Sequence, residues 1–394
     1  MAQNKYSDGS LAAHAGNYVD TAYKSLGVPI YMTNNYLFDN VQQGADACFS
    51  PENGHCYTRI SNPTNDELGR MLALLEGGEA GIPFATGVSA VSTLALTLLK
   101  AGDHVLCDDT TYSATSYLFR TLLPKFGVES TILDFTDIAA VRAATRPNTR
   151  LVFFETPCNP TMKVIDIAEI AKIAKECGAV SAIDNTFATP ILTKPISLGI
   201  DVVMHSTTKY ICGHGDAMGG ALVGTKKIMD QILEEGIKNL GGSASPFNSA
   251  LMLRGLKTLE LRMERCCKTA GLVAAYLNGH PKVDKVYYPG LASHPQHEIA
   301  KKQMKDFGGL LTFDLKGGVE AGVTLMNNLK LCALAVSLGE PITLMQHPAS
   351  MTHWYVPEEA RRQSGITDGL VRMSVGLESP GDIIADIENA LEKI

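Results

Sequence analysis

The sequence predicts an α/β fold: a mostly parallel, seven-stranded sheet flanked by helices, followed by a smaller α+β unit. Seven short apolar runs recur between about residues 80 and 225, with helix-like segments between them. Strands separated by helices of roughly ten to fifteen residues build parallel sheets covered on both faces. Beyond about residue 250 the texture changes to half-apolar alternation between amphipathic helices.

In chain order, residues 1–60 are rich in polar and turn residues and end in HCYTRISNPTNDE. Such an arm needs a surface to lie on, its own body or a partner subunit. Residues 66–76 read as a helix stopped by Gly77-Gly78. AGIPFA (80–85) is a strand and 88–100 an apolar helix; HVLCDD (104–109) is a strand and 115–126 helical. VESTILD (128–134) is a strand, 137–145 a helix, RLVFFE (150–155) a strongly β run and 167–177 a helix. AVSAID (179–184), DVVMHS (201–206) and MGGALVG (218–224) complete the sheet. One long helix is expected over 248–267, with a boundary inside it. After it, FGGLLTFDL and GLVRMSVGL alternate like half-exposed strands between helices at 319–329 and 382–393. The 394 residues, at roughly 150 per domain, suggest two to three domains. The division is an N-terminal arm (1–60), an α/β domain (61–250) and a C-terminal α+β domain (251–394).

Composition narrows the function classes. Lys plus Arg is 34 and Asp plus Glu 41, a net charge of −7 with no basic cluster, so no nucleic-acid partner is expected. Charged residues are 19%, below the usual level of about 25%, which fits a compact core. No apolar run approaches the ~18 residues a membrane helix needs. The first 30 residues lack the apolar stretch of a signal peptide, so a cytoplasmic location is expected. The nine cysteines are odd in number and form no C-x-x-C, which suggests neither a disulfide framework nor a zinc cluster, and no metal. Most read as small buried hydrophobes in a reducing compartment, the adjacent Cys266 and Cys267 included.

In open α/β sheets ligands collect at the carboxyl ends of strands. Those ends carry Thr86-Gly87-Val88, Thr110-Thr111-Tyr112, Thr156-Pro157 with Asn159-Pro160, Asp184-Asn185-Thr186 and Ser206-Thr207-Thr208-Lys209. Singly, each has an ordinary reading: a helix cap, a turn, a packed ring, a solvated edge lysine. Together they supply an amine, a carboxylate, an aromatic face, hydroxyls and a glycine helix start. Pyridoxal 5′-phosphate needs that set: lysine for its aldehyde, aspartate for its pyridinium nitrogen, an aromatic face for its ring, and hydroxyls and free N–H groups for its phosphate. Competing glycine-rich readings are near misses. GHGDAMGG (213–220) lacks the third glycine of G-x-G-x-x-G, and GGALVGTKK (219–227) lacks a lysine directly after the second glycine of a P-loop.

The segments YTRISNPT (57–64), ATGVSAV (85–91), ETPCNPT (155–161), AIDNTFATP (182–190), HSTTKYICGHGD (205–216), LAVSLGEPITLMQHPASMTH (334–353) and GLVRMSVGLES (369–379) resemble the fold-type I pyridoxal-phosphate enzymes of sulfur amino-acid metabolism, the methionine γ-lyase and cystathionine γ-lyase family. The resemblance runs from about residue 10 to the C-terminus. It implies that Lys209 is the Schiff-base lysine, Asp184 the pyridinium partner, and Tyr112 the ring-stacking residue and acid toward the leaving group. It assigns Gly87, Val88, Ser206 and Thr208 to the phosphate, with Tyr57 and Arg59 reaching the phosphate of a neighbouring subunit. The resemblance thus implies a homodimer with shared active sites, or a homotetramer of two such dimers. Ser337 and Arg372 match residues that hold the substrate carboxylate, and Arg372 shares a strand face with Ser374. His347 and His353 are read as structural.

The reaction implied is α,γ-elimination of methionine or homocysteine to a thiol, ammonia and 2-oxobutanoate. Val336 stands where cystathionine-specific members carry an acid, which suits a methyl thioether. Against methionine, the stacking loop reads Tyr112-Ser113-Ala114 where methionine γ-lyases typically have Tyr-Gly-Cys, and Lys238-Asn239 replaces their Lys-Asp. Cystathionine γ-lyase, cysteine desulfhydrase and an O-acyl-homoserine sulfhydrylase-type synthase are the alternatives within the family. A nucleotide-binding oxidoreductase is the alternative from another class.

Overall fold

A computed structural model describes residues 6–17, 20, 23–363 and 365–394; the other positions of the arm lie outside the described residues. The seven predicted strands form one sheet: β1 (Ala80–Phe84), β2 (His104–Asp108), β3 (Glu129–Leu133), β4 (Thr149–Glu155), β5 (Val180–Asp184), β6 (Val202–His205) and β7 (Gly220–Gly224). Their order is β1-β7-β6-β5-β4-β2-β3, and only β7 runs antiparallel to its neighbours. Strand β4 shows why the central runs are continuously apolar. Leu151 and Phe153 enter the core on one face, Val152 and Phe154 the core on the other, so neither face meets water.

The covering helices begin and end on readable signals. Asn62 caps Pro63–Glu76, which stops at Gly77 with φ 79°. Thr86 and Ser89 close a reciprocal capping box at the start of Gly87–Leu98. Ile167–Cys177 has its predicted bounds, from an Asp166 cap to a left-handed Gly178. The predicted 115–126 helix is instead a series of turns: Ser113–Tyr117, a wider turn at Leu118–Leu122 and a tighter one at Leu123–Phe126, where Pro124 has no N–H to continue the ladder.

The long helix expected over 248–267 is two helices, Pro246–Leu256 and Leu259–Asn278. Buried Arg262 explains the break. Its Nη2 donates to the carbonyl of Gly255 at 2.7 Å and its Nη1 to that of Tyr210 at 2.6 Å, tying the end of the first helix to the loop after β6. The second helix joins two cores: Met263, Cys266 and Cys267 pack against the large sheet, and Ala270, Val273 and Leu277 against the small one.

The small sheet contains β8 (Val283–Tyr287), β9 (Leu310–Leu315), β10 (Ala333–Leu334), β11 (Leu344–Gln346) and β12 (Leu370–Ser374), in the order β10-β11-β12-β9-β8. Gly318–Asn328 and Pro380–Leu391 pack on it. The half-exposed expectation for its central strands is corrected: every residue of β9 and β12 is buried. The polar face does not meet solvent but loops of the large sheet, as where Thr312 Oγ1 donates to the Pro160 carbonyl at 2.5 Å.

Cysteine usage also needs a correction. Cys48 and Cys56 form a disulfide within the arm, because the short 41–53 helical segment folds their Cα atoms to 5.2 Å. The other seven cysteines are free, six of them buried, Cys266 and Cys267 among these. Among the described residues no helix is long and apolar enough to cross a membrane.

Candidate active site

A cavity of about 970 Å³ opens where the segments following β1, β2, β4, β5 and β6 meet the 336–338 loop and β12. Lys209, Asp184, Tyr112, Gly87, Val88, Ser206, Thr208, Ser337, Val336 and Arg372 all line it. Ala114 does not, although Ser113 and Thr115 beside it do. Tyr57 and Arg59 also lie away from it: Arg59 donates to the carbonyl of Lys238 and sits 5.6 Å from the Tyr57 ring centroid. Asn239 is turned back on its own helix, donating to the carbonyls of Glu234 and Glu235.

One end of the cavity is a recess between the first turn of Gly87–Leu98 and the 206–209 turn. A Cβ on Gly87 would stand 3.0 Å from both Ser206 Cβ and Met204 Cε, so glycine permits that approach. Thr208 Oγ1 is fixed by Gly219, accepting from its N–H at 3.0 Å and donating to its carbonyl at 3.1 Å. Unpaired N–H groups at a helix start beside hydroxyls suit a phosphate.

In the same cavity, the Lys209 amine donates to Ser337 Oγ at 2.7 Å. Burial, and then the charge of Arg372, hold the lysine below its ordinary pKa. Such a lysine is the nucleophile an aldehyde needs. Ser337 lies in the left-handed region with φ 81°, and Gly339, φ 77°, lets this loop close on Tyr210, whose N would be 2.6 Å from a Cβ there.

Asp184, at the end of β5, is buried and borders the same cavity. Thr186 donates to its Oδ1 through both N–H (3.0 Å) and Oγ1 (2.5 Å); among the described residues no hydrogen-bond donor reaches Oδ2. Burial raises its pKa and the Thr186 bonds oppose this. A carboxylate with one free oxygen in a dry place calls for a cation, and a pyridinium nitrogen is one. Amine, carboxylate and anion recess in one cavity therefore fit pyridoxal 5′-phosphate as a donor set.

The substrate side centres on Arg372, 6% exposed on β12, which excludes an exposed strand arginine. Its Nη1 donates to Asn159 Oδ1 at 3.1 Å and its Nη2 to the Ser337 carbonyl at 2.5 Å. Burial lowers its pKa to about 10, which leaves it cationic at neutral pH. Ser374, on the same strand face, accepts from Gly339 N–H at 3.0 Å. His347 is structural, its two ring nitrogens bonded to Ser350 Oγ and the Asp368 carbonyl, whereas His353 borders the cavity.

Sequence reasoning passed over Glu155 and gave Asn159 no role. Glu155 pairs in register with Asp184 on the next strand and accepts from the N–H of Tyr112 and of Asn159, both at 3.0 Å. It thereby holds the stacking loop and the Arg372 partner together. Burial, then the negative charge of Asp184, push its pKa well above the carboxylate range. The signal was present: Glu155 ends an apolar strand as Asp184 does. Close by, Asp108, Asp109 and Asp134 converge as metal ligands might, but the Lys163 ammonium stands among them at 3.0, 2.8 and 2.9 Å.

Comparison with known proteins identifies the family. Residues 9–392 match the family model of Cys/Met metabolism PLP-dependent enzymes. The chain is 50% identical to L-methionine gamma-lyase of Fusobacterium nucleatum subsp. nucleatum, covering 100% of both chains. It is 47% identical to L-methionine gamma-lyase of Pseudomonas putida over 93% of each, and 40% identical to cystathionine gamma-lyase of Bacillus subtilis over 98% of this chain and 99% of that one. The crystal structure of metB from Corynebacterium glutamicum superimposes with a TM-score of 0.92 at 39% identity, over 99% of this chain and 98% of that one.

Proposed function

The chain belongs to the Cys/Met metabolism family of PLP-dependent enzymes, and we propose that it is a carbon–sulfur lyase that cleaves methionine with water to a thiol, ammonia and 2-oxobutanoate, or homocysteine likewise with hydrogen sulfide in place of the thiol. Its cofactor is pyridoxal 5′-phosphate, not the nucleotide of an oxidoreductase. When bound, the cofactor supplies an electron sink for negative charge that develops at Cα and Cβ of the substrate.

One observation carries the reading: the Lys209 amine and the Arg372 guanidinium both engage Ser337, through Oγ and the carbonyl. A carboxylate drawn to Arg372 sets the amino acid's Cα beside Lys209. The lysine, whose pKa burial lowers, is placed to remove the Cα proton there and then one from Cβ as the γ sulfur departs. Asp184 keeps the ring nitrogen protonated, and Tyr112 delivers a proton to the departing sulfur. Val336, apolar and bordering the cavity, offers no partner to a distal amine, which favours the methyl thioether of methionine over cystathionine.

Product analysis with methionine, homocysteine, cysteine and cystathionine, with and without an added thiol acceptor, tests this. Thiol, ammonia and 2-oxobutanoate from methionine without acceptor are expected. Turnover confined to cystathionine or cysteine would establish the second reading, a cystathionine γ-lyase or cysteine desulfhydrase, which Ala114 and Asn239 favour.

The active unit is a homodimer, or a tetramer of two dimers, in the cytoplasm. Tyr57 and Arg59 lie outside their own chain's cavity, and the arm exposes Leu26, Met32, Leu37, Val41 and Phe49, apolar surface a second copy would cover. Mixing two inactive variants, Arg59→Ala and Lys209→Ala, should restore part of the activity, because a mixed dimer holds one intact site.

A further inference from the structure

We propose that Glu76 is a positioning residue of the cofactor site, gripping from behind the sheet the two segments that carry Asp184 and the 206–209 turn. The inference rests on the reading that these segments hold the cofactor. Asp184 and Asn185 are successive residues at a strand end, so their side chains leave on opposite faces. Asp184 borders the cavity; Asn185 is wholly buried behind it. There its Nδ2 donates to Glu76 Oε1 at 2.9 Å and to the Thr193 carbonyl at 3.0 Å. His205, next to Ser206 and wholly buried, brings Nε2 to the same Glu76 oxygen at 2.6 Å. On the front face Thr186 Oγ1 ties Asp184 to the N–H of Ser206 at 2.8 Å. The ends of β5 and β6 are thus clamped together on both faces, by Thr186 in front and Glu76 behind.

Stability alone does not account for Glu76. It is the last residue of Pro63–Glu76, where the helix dipole opposes a negative charge, and it is 1% exposed. Glu76 Oε2, Asn185 Oδ1, His205 Nδ1 and Thr193 Oγ1 are all buried, without a hydrogen-bond partner among the described residues. A cluster kept with such unpaired groups is costly, and apolar packing would serve the core better. What the cluster adds is an imidazole and a carboxylate fixed directly behind the strand ends that face the cofactor.

The test titrates pyridoxal 5′-phosphate into apoprotein, following cofactor absorbance, and separately measures apoprotein Tm. Glu76→Gln and His205→Gln are compared with Asp386→Asn, a buried carboxylate that caps the 330–332 N–H groups of the small sheet. For the first two variants we expect a cofactor Kd about tenfold higher or more, the size seen when groups behind a directly bound ligand are lost. Their absorbance band should shift, and kcat should fall at unchanged KM. Asp386→Asn should lower Tm alone. If Glu76→Gln does not fold, His205→Gln decides on the same readouts. Variants with lowered Tm but wild-type Kd and spectrum would overturn the proposal while leaving the site reading intact. A wild-type chain that takes up no cofactor would overturn both.

Discussion

The two walls of the cavity are built on opposite plans. On the cofactor side, Gly87, Asp184, Ser206 and Lys209 sit at or just beyond strand ends of one mostly parallel sheet, so the regular fold aims them. On the substrate side, Ser337 lies on a loop with positive φ and Arg372 in mid-strand. These are held by contacts between distant parts of the chain: Lys209 to Ser337 spans 128 residues and Arg372 to Asn159 spans 213. The first wall is set by local geometry, the second by how the small sheet docks on the large one. Changes to the cofactor wall should therefore act on cofactor binding and kcat, and changes to the substrate wall on KM.

Arg372→Leu breaks the substrate wall most severely. Removing a buried, hydrogen-bonded cation from a charged ligand costs about 2–5 kcal/mol, or roughly 30- to 4000-fold in kcat/KM. Steady-state kinetics should place the loss in KM, with the cofactor spectrum unchanged; a lost cofactor band would mean that the walls are not separable.

A smaller effect crosses from one wall to the other. Burial, then Arg372, depress the Lys209 pKa, so in apoprotein its amine becomes free base at lower pH than an ordinary lysine near 10.4. The pH midpoint for modification of Lys209 by an amine-selective reagent should lie below that value. Arg372→Leu removes the neighbouring positive charge and should move the midpoint up. An unchanged midpoint would show that Arg372 does not act on the lysine.

The smallest effect belongs to the rim. Val336 is 53% exposed, so Val336→Glu offers a distal amine only a solvated carboxylate, worth about 1 kcal/mol at most. The ratio of cystathionine to methionine turnover should rise by about fivefold or less, the equivalent of that energy. No rise would remove Val336 as a reader of the distal group.

How much could be read beforehand follows the same division. All seven strands of the large sheet and the Ile167–Cys177 helix were legible, because apolar runs, caps and glycine stops are local signals. Lys209 and Asp184 stood out as polar residues following apolar strands, and Gly87 as a glycine opening a helix after one. The burial of β9 and β12 was not legible, since alternation describes a strand's two faces but not what covers the polar one. The break before Leu259 was hidden for a similar reason: nothing local says that Arg262 turns back to cap Gly255. Glu155 was overlooked although it ends its strand as Asp184 does, because its partners Tyr112 and Asn159 come together only in the fold. The Cys48–Cys56 link likewise depends on how the arm turns between them.

The central claim is that Lys209 carries the cofactor. Borohydride reduction of the purified enzyme followed by peptide mass spectrometry tests it directly. The mass of a reduced pyridoxyl-phosphate group should appear on the peptide containing Lys209 and vanish in Lys209→Ala. Its appearance on a different lysine, or on none, would contradict the account.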